Sequence, residues 1–196
     1  MMHINPGQFV NCPYAIGKAV MNRSAHTIGS RIVVVDVETT GLSAQRGGRV
    51  IEVGVVALEN GSIVAEFGTL IDAGAPISFG AYRVHGISEE MLSGQPEPAV
   101  VWRHFHDFVG TAQLVAHNAP FDSAFVRHEL SRFGLGLSNP WHCTVRLARR
   151  RLPNLPNHRL DTVYRHLFGL IPHGTARHRA LDDARLAAKI WSELSL

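Results

Sequence analysis

The segment Arg31–Glu38, with the sequence RIVVVDVE, constrains the fold more than any other part of the chain. Its apolar residues are β-branched and fall on both faces, which is typical of a central strand covered on two sides. Asp36 and Glu38 interrupt this run, and residues two apart in a strand point to the same face. The sequence therefore predicts a buried strand that carries two carboxylates on one face.

Two carboxylates at the edge of a core need a compensating cation or access to water. A hard divalent cation such as Mg²⁺ or Mn²⁺ prefers carboxylate oxygens and is one explanation of the pair. Alternatively, the acids reach solvent at the end of the strand or form an ion pair with an arginine. Thr39, Thr40, Gly41 and Leu42 follow, and the flexible Gly41 permits a ligand to approach the backbone closely.

The rest of the pattern predicts an α/β or α+β fold in which helices cover a mixed sheet. Val50–Leu58 and Ser62–Ile71 flank the turn Glu59-Asn60-Gly61 and predict a β-hairpin, and Leu114–His117 predicts a short buried strand. We expect helices from about Pro120 onward and then at Pro140–Arg151, Leu160–Phe168 and Ala180–Leu194. Residues 1–29 show no sustained period, so we expect an N-terminal extension before a single domain at residues 30–196.

Composition excludes several classes of protein. A chain of 196 residues with 45% hydrophobic residues can bury a sizeable core and is too apolar to be disordered. It has no apolar run of about 18 residues to span a membrane, and its first residues lack the pattern of a signal peptide. Two cysteines, Cys12 and Cys143, are too few for a disulfide framework. We therefore expect a globular, cytoplasmic protein with no membrane partner.

The net charge of +3 is distributed unevenly along the chain. Residues 1–126 carry a net charge of −4, whereas residues 127–189 carry +8. The basic residues are 17 Arg and 2 Lys. The guanidinium group binds phosphate well, so a polyanionic partner is one explanation of this distribution. A GC-rich genome that favours arginine codons is the other, with the arginines merely solvating helices.

Two further segments combine acids with histidines. His117–Asp122 leads from a strand into a helix and places Asp122 in the first helical turn. An acid there complements the helix dipole and Asn118 can be an ordinary cap, so neither requires a function. His178 is expected in a loop before the last helix, with Asp183 in the first turn of that helix. Histidine titrates nearest to neutral pH, as a general base requires, although a lone histidine is often only a surface residue.

In this order, the three motifs Asp-x-Glu-Thr-Thr-Gly-Leu, His-Asn-Ala-x-Phe-Asp and His-x-Ala-x-x-Asp resemble the DEDDh (DnaQ-like) 3′–5′ exonuclease family. The resemblance covers roughly residues 31–194, and Val84–Ser88 adds the His-Gly-Ile segment that members often carry. It implies an RNase H-like α/β fold with a mixed central sheet flanked by helices.

The resemblance also implies the roles of the site residues. Two divalent metal ions, Mg²⁺ or Mn²⁺, would be bound by the four carboxylates of Asp36, Glu38, Asp122 and Asp183. His178 would act as the general base for the attacking water. The positions implied to bind substrate are Thr39, Thr40, Gly41, Leu42, His85 and Asn118. For His85, a capped turn in a surface loop is the alternative.

The implied function is that of a metal-dependent 3′–5′ exonuclease, which releases nucleotides from the 3′ end of single-stranded nucleic acid. DNA is the favoured substrate, and trimming of RNA 3′ ends is the alternative. The nuclease motifs are similar to those of the epsilon proofreading subunit of bacterial DNA polymerase III. Because the sequence ends at Leu196, soon after the last expected helix, we expect no polymerase-binding tail and favour a stand-alone or auxiliary exonuclease. A polymerase or a second copy of the chain would be the protein partner, and Arg146–Arg159 could serve a dimer interface or follow the nucleic-acid backbone.

The sequence disfavours two other functional classes. A nuclease fold retained as a non-catalytic binding or assembly module is disfavoured, because all five expected catalytic positions are occupied. A nucleotide phosphatase or kinase-like enzyme is disfavoured because the sequence has no Gly-rich phosphate loop followed by Lys and Ser or Thr.

Overall fold

The computed structural model describes residues 31–195. The N-terminal extension expected at residues 1–29 lies outside the described residues. The described strands are β1 (Ile32–Thr39), β2 (Val50–Glu59), β3 (Ser62–Leu70), β4 (Gln113–Ala116) and β5 (Trp141–Cys143). The described α-helices are α1 (Phe79–His85), α2 (Glu89–Leu92), α3 (Pro98–Val109), α4 (Ala119–Ser131), α5 (Thr144–Arg151), α6 (Leu160–Phe168) and α7 (Ala180–Leu194).

The strands form one mixed sheet in the order β3-β2-β1-β4-β5. β1 is antiparallel to β2 and parallel to β4, while β3 is antiparallel to β2 and β5 is parallel to β4. Helices cover both faces of the sheet, which confirms the expected fold class. Among the described helices, none is both long enough and apolar enough to cross a lipid bilayer.

β1 lies at the centre of the sheet and separates two hydrophobic cores. Val33 and Val35 pack on the side of α3 and α4, among Trp102, Phe105 and Phe125. The other face includes Val34 and is covered by buried residues of α5, α6 and α7. Because side chains alternate along a strand, Asp36 and Glu38 share the face of Val34, beneath α7.

The pairing of β1 with β2 changes register directly after the two acids. Glu38 lies opposite Glu52, but Thr39 lies opposite Val50, so one residue of β2 is left over. Such a bulge bends the strand and redirects the side chains that follow. The end of β1 therefore turns away from the ladder directly after the half-buried acidic pair.

Two parts of the structure differ from the sequence-based expectation. The segment Pro140–Arg151 was expected as one helix, but Trp141–Cys143 form β5 and the helix begins at Thr144. The three residues of β5 pair with Leu114–Ala116 of β4, a tertiary contact that leaves no periodic signal in so short a segment. Helices α1 to α3 were not predicted, although α3 contributes buried aromatic side chains to the core.

Candidate active site

Four carboxylates meet near the end of β1. Asp36 and Glu38 come from β1, Asp122 from the first turn of α4, and Asp183 from the first turn of α7. Ligand atoms of Glu38, Asp183 and His178 lie within 4.8 Å of one another. The charges of Glu38, Asp122 and Asp183 all act on Asp36. The structure thus brings together the five side chains that the sequence motifs single out.

Burial and mutual repulsion raise the pKa of these carboxyl groups. Desolvation, followed by the charges of Glu52 and Asp183, raises the pKa of Glu38 from 4.5 to about 8. The pKa of Asp36 is raised well above its ordinary value by burial first and then by the charge of Asp122. Burial also raises the pKa of Asp122. Such a cluster is costly to ionise unless a cation is bound among the oxygens.

The donor set fits a hard divalent cation. Within residues 31–195, no Lys, Arg or His side chain forms an ion pair with Asp36, Glu38 or Asp122. Carboxylate oxygens are the ligands that Mg²⁺ and Mn²⁺ prefer, and no thiolate that would select a softer metal belongs to the cluster. The four acidic residues therefore suit a divalent metal site.

Arg177 is a cation of the site that the sequence analysis missed. Its guanidinium donates through Nη1 to Oδ1 of Asp183 and pairs through Nη2 with Asp161 of α6. Burial raises the pKa of Asp183, and the charge of Arg177 opposes this increase. The available signal was its position directly before His178 in the third motif.

The ion pair between Glu52 and Arg179 is a second feature of the site that the sequence motifs do not indicate. Glu52 lies in β2 opposite Glu38, and its Oε1 accepts a hydrogen bond from Nε of Arg179 at 3.0 Å. Nη2 of Arg179 forms an ion pair with the same oxygen at 2.8 Å. The backbone N–H of Ala180 donates to Oε2 of the same carboxylate at 3.1 Å. Glu52 thus ties the segment after His178, and the start of α7, to β2.

Two candidate site residues have left-handed backbone conformations. His178 has φ +59° and Asn118 has φ +87°; the third such non-glycine residue in the described chain is Asn60, in the hairpin turn. These conformations cost about 1–2 kcal/mol and persist where the surroundings impose them. Asn118 stands at the N-cap position of α4, but its side chain makes no capping hydrogen bond. Arg177 and Arg179 anchor the backbone on both sides of His178, whose own side chain is exposed.

A cleft of about 670 Å³ opens beside the carboxylates. Asp36, Asp183 and His178 line it together with Asn118. Arg149, Arg159 and Arg177 also line it. The cleft therefore brings acidic side chains, which suit a cation, next to guanidinium groups, which suit a phosphate.

His85 is 8% exposed and ends helix α1, so it is not a surface-loop residue. The N–H of Ile87 donates to Nδ1 of His85 at 3.0 Å. Nε2 therefore carries the ring proton and donates to the carbonyl of Thr39 at 3.2 Å. Burial lowers the pKa of His85, in keeping with a neutral ring. Both ring nitrogens are used to hold the end of β1 in place.

Thr39 and Thr40 are buried, and their hydroxyl groups bind the protein's own backbone. Oγ1 of Thr39 donates to the carbonyl of Gly41 at 2.8 Å. Oγ1 of Thr40 accepts from the N–H of Arg49 at 3.0 Å. The two threonines thus shape the turn that follows β1, and Gly41 lies at its more open part, where no atom would meet an added Cβ within 4 Å.

An exposed apolar rim flanks this turn. Leu42 is 91% exposed, and Phe79 and Tyr82 of α1 are 75% and 47% exposed. The N–H of Ser78 donates to the carbonyl of Thr40 at 2.9 Å, which joins the start of α1 to the turn. Large apolar side chains left in water beside a polar cleft are typical of a binding surface.

His117 connects three elements behind the cleft. Its Nε2 donates to the carbonyl of His158 at 3.0 Å, and its Nδ1 pairs with the hydroxyl of Thr144 at 2.8 Å. Burial lowers its pKa to about 4, so the ring is neutral at physiological pH. The end of β4, the start of α5 and the loop before α6 are thereby held together around the site.

Comparison with known proteins relates this chain to exonucleases. Residues 33–191 match the family model RNase_T, described as an exonuclease. The chain is 39% identical over 172 residues to a DNA polymerase III PolC-type protein of Clostridium perfringens, covering 87% of this chain and 12% of that protein. It is 35% identical over 172 residues to a DNA polymerase III subunit epsilon of Rickettsia felis, covering 84% of this chain and 74% of that one.

A solved structure of Exonuclease X in complex with 5′ overhanging duplex DNA has the same fold, with a TM-score of 0.68 and 29% sequence identity. The match covers 83% of this chain and 90% of that chain. The chain thus spans almost all of the Exonuclease X structure but only a small part of the PolC-type relative.

Proposed function

This chain belongs to the RNase_T exonuclease family, as its motifs led us to expect, and we propose that it is a metal-dependent 3′–5′ exonuclease acting on single-stranded DNA. The observation that carries the proposal is the convergence of four carboxylates and His178 at the end of β1. Their raised pKa values indicate a cluster built to hold a cation rather than to face water.

Exonucleases of this family use divalent metal ions. We propose two ions, Mg²⁺ or Mn²⁺, held by Asp36, Glu38, Asp122 and Asp183. When bound, they would supply the positive charge that stabilises the attacking and leaving oxygens of a phosphodiester. Four ionised carboxylates carry a charge of about −4, which offsets the charge of two divalent ions. This charge balance supports two ions rather than one.

In the proposed reaction, His178 accepts a proton from the attacking water. The water oxygen forms a bond to phosphorus, the bond from phosphorus to the 3′ oxygen breaks, and that oxygen takes up a proton. The products are a nucleoside 5′-monophosphate and a strand shorter by one nucleotide. Arg177 and Arg179 hold the backbone of His178 in place. Leu42 and Phe79 offer an apolar surface to the terminal base.

DNA is supported as the substrate by what is known of the relatives. One relative is named a DNA polymerase III of PolC type, another is named a subunit epsilon of DNA polymerase III, and the Exonuclease X structure contains DNA. We therefore propose DNA over RNA for this chain.

The test is digestion of a 5′-labelled single-stranded 20-nucleotide DNA and a matched RNA in Mg²⁺ or Mn²⁺. We expect a ladder of DNA products shortened one nucleotide at a time from the 3′ end, with slower cleavage of RNA. EDTA should stop the reaction, and Asp36→Asn should remain folded and lose activity. An equally active Asp36→Asn variant, or release of the 5′ label as the first product, would contradict the proposal.

A further inference from the structure

A second groove, of about 710 Å³, lies next to the catalytic cleft. It is bounded by the start of α4, by β5, by α5 and by the end of α7. The basic residues that line it are Arg146, Arg149, Arg150 and Arg151, and no Asp or Glu is among its lining residues. Arg146, Arg149 and Arg150 are exposed and form no ion pair within the described part of the chain.

Helix stability does not explain this set of arginines. Cations in the last turn of a helix complement its dipole, which accounts for Arg149 and Arg150 in part. Arg146, however, lies in the first turn of α5, where the dipole disfavours a cation. Arg146 and Arg150 are also four residues apart on one helix face, a spacing at which like charges repel. The helix dipole therefore accounts neither for Arg146 nor for its spacing from Arg150.

Aromatic side chains accompany the arginines. Trp141 of β5 and Trp191 of α7 line the same groove and are only half-buried. The ring centroids of His142 and Trp191 lie 5.3 Å apart, with an angle of 41° between the ring planes. Surfaces that bind single-stranded nucleic acid combine cations for the phosphates with aromatic faces for the bases. The composition of the groove matches that chemistry.

The groove is continuous with the catalytic cleft. Arg149 lines both of them. At the start of α4, Asn118 lines the cleft, and its neighbours Ala119 and Pro120 line the groove. A strand with its 3′ end at the carboxylates can therefore pass over the start of α4 and enter the groove without leaving the protein surface.

We propose that this groove binds the phosphodiester backbone and bases of the single strand upstream of the nucleotide being removed. The inference rests on the proposed function for the direction of the strand. Binding of a single strand by the groove does not depend on catalysis. An experiment can therefore contradict the groove proposal without contradicting the proposed exonuclease function, and the reverse.

The test measures binding of the full chain to a fluorescein-labelled oligothymidylate of 20 nucleotides in EDTA, by fluorescence anisotropy at several NaCl concentrations. The double variant Arg146→Gln/Arg150→Gln leaves Arg149 and the cleft intact. Each phosphate contact on a single strand contributes about 0.7 to the slope of log affinity against log salt. We expect the slope to become shallower by about 1.4 and affinity in low salt to fall roughly tenfold.

The matched control is Arg103→Gln/Arg132→Gln, which removes the same charge from exposed positions outside the groove. It should keep the slope of the wild type. The proposal is overturned if the groove variant binds the oligonucleotide with the affinity and salt dependence of the wild type. It is also overturned if the control variant loses as much affinity as the groove variant. If the wild type does not degrade DNA with metal added but the two variants still differ as expected, the proposed function fails and the groove proposal stands.

Discussion

Gly54 of β2 lies directly beneath Ala180, the first residue of α7. A Cβ added to Gly54 would lie 2.3 Å from the carbonyl carbon of Ala180. Gly54 is also the residue opposite Asp36 in the β1–β2 ladder. The missing side chain therefore allows the helix that carries Asp183 to approach the strand that carries Asp36.

Gly54→Ala should damage the site through this contact. Because the obstructing atoms belong to the backbone, α7 has to move, and we expect a loss of about 1–3 kcal/mol in the free energy of unfolding. A displacement of the order of 1 Å at Asp183 should lower the hydrolysis rate by roughly a hundredfold. Urea unfolding and a DNA digestion rate measure the two effects. In Gly136→Ala, where an added Cβ meets no atom within 4 Å, both should stay near the wild type.

The central strand and its acidic pair were predictable because they depend on local pattern. The two-residue period of a β-branched run places Asp36 and Glu38 on one face, whatever surrounds them. Helices α6 and α7 were predicted with the bounds that the structure shows, since their apolar residues repeat at helical spacing.

What the sequence did not reveal depends on contacts between distant segments. Glu52 is one acid within an apolar strand, and only the folded chain places Arg179 beside it, 127 positions away. The close approach of α7 to Gly54 likewise has no counterpart in a local pattern. β5 pairs with β4 through only three residues, too few to show a strand period in the sequence. Pairings of this kind are properties of the tertiary structure.

Glu38→Gln should stabilise the protein in EDTA while abolishing activity. The pKa of Glu38 is raised from 4.5 to about 8, so the folded protein holds a proton in this range that the unfolded chain has lost. The free energy of unfolding of the wild type therefore falls as pH rises from about 4.5 to 8. Replacing the acid by glutamine should raise this free energy by on the order of 2 kcal/mol at pH 8 and by little at pH 4.5.

Urea unfolding in EDTA at the two pH values measures this effect. The exposed Glu59→Gln in the hairpin serves as the control and should show the same stability as the wild type at both. Added Mn²⁺ should raise the stability of the wild type more than that of Glu38→Gln. A Glu38→Gln variant less stable than the wild type at pH 8 would show that repulsion within the cluster is not the dominant cost.

The contribution of His117 to the free energy of unfolding should have the opposite pH dependence. Its pKa is lowered from 6.5 to about 4, so its two hydrogen bonds stabilise the fold fully above pH 6.5 and are lost as pH falls through 4. His117→Gln should cost about 1–3 kcal/mol at pH 7, and the difference from the wild type should shrink toward pH 4. Unfolding free energies of both proteins at pH 7, 5.5 and 4 test this. A difference that is constant over the range would rule out titration of His117 as the cause.

His178→Gln should lower the rate of DNA hydrolysis by at least about a hundredfold, the usual scale for loss of a general base. The exposed His173→Gln in the preceding loop is the matched control and should retain the wild-type rate. Calorimetric titration with Mn²⁺ separates the role of a base from that of a ligand, because Nδ1 or Nε2 of His178 lies within reach of Glu38 and Asp183. Metal binding should persist in His178→Gln; a loss as large as in Glu38→Gln would identify the histidine as a metal ligand instead.

Leu42→Ser should weaken substrate binding without affecting the fold. Leu42 is 91% exposed, so the folded protein loses no buried apolar surface in the variant, and the free energy of unfolding should not change. Burying a leucine side chain against a base is worth up to about 1.5–3 kcal/mol, which predicts a KM for single-stranded DNA at least about fivefold higher in the variant. Leu170→Ser is the control, since Leu170 is 82% exposed and lines neither the cleft nor the basic groove. Equal KM values for the two variants would mean that Leu42 does not contact the terminal nucleotide, because both variants replace an exposed leucine and differ only in its position.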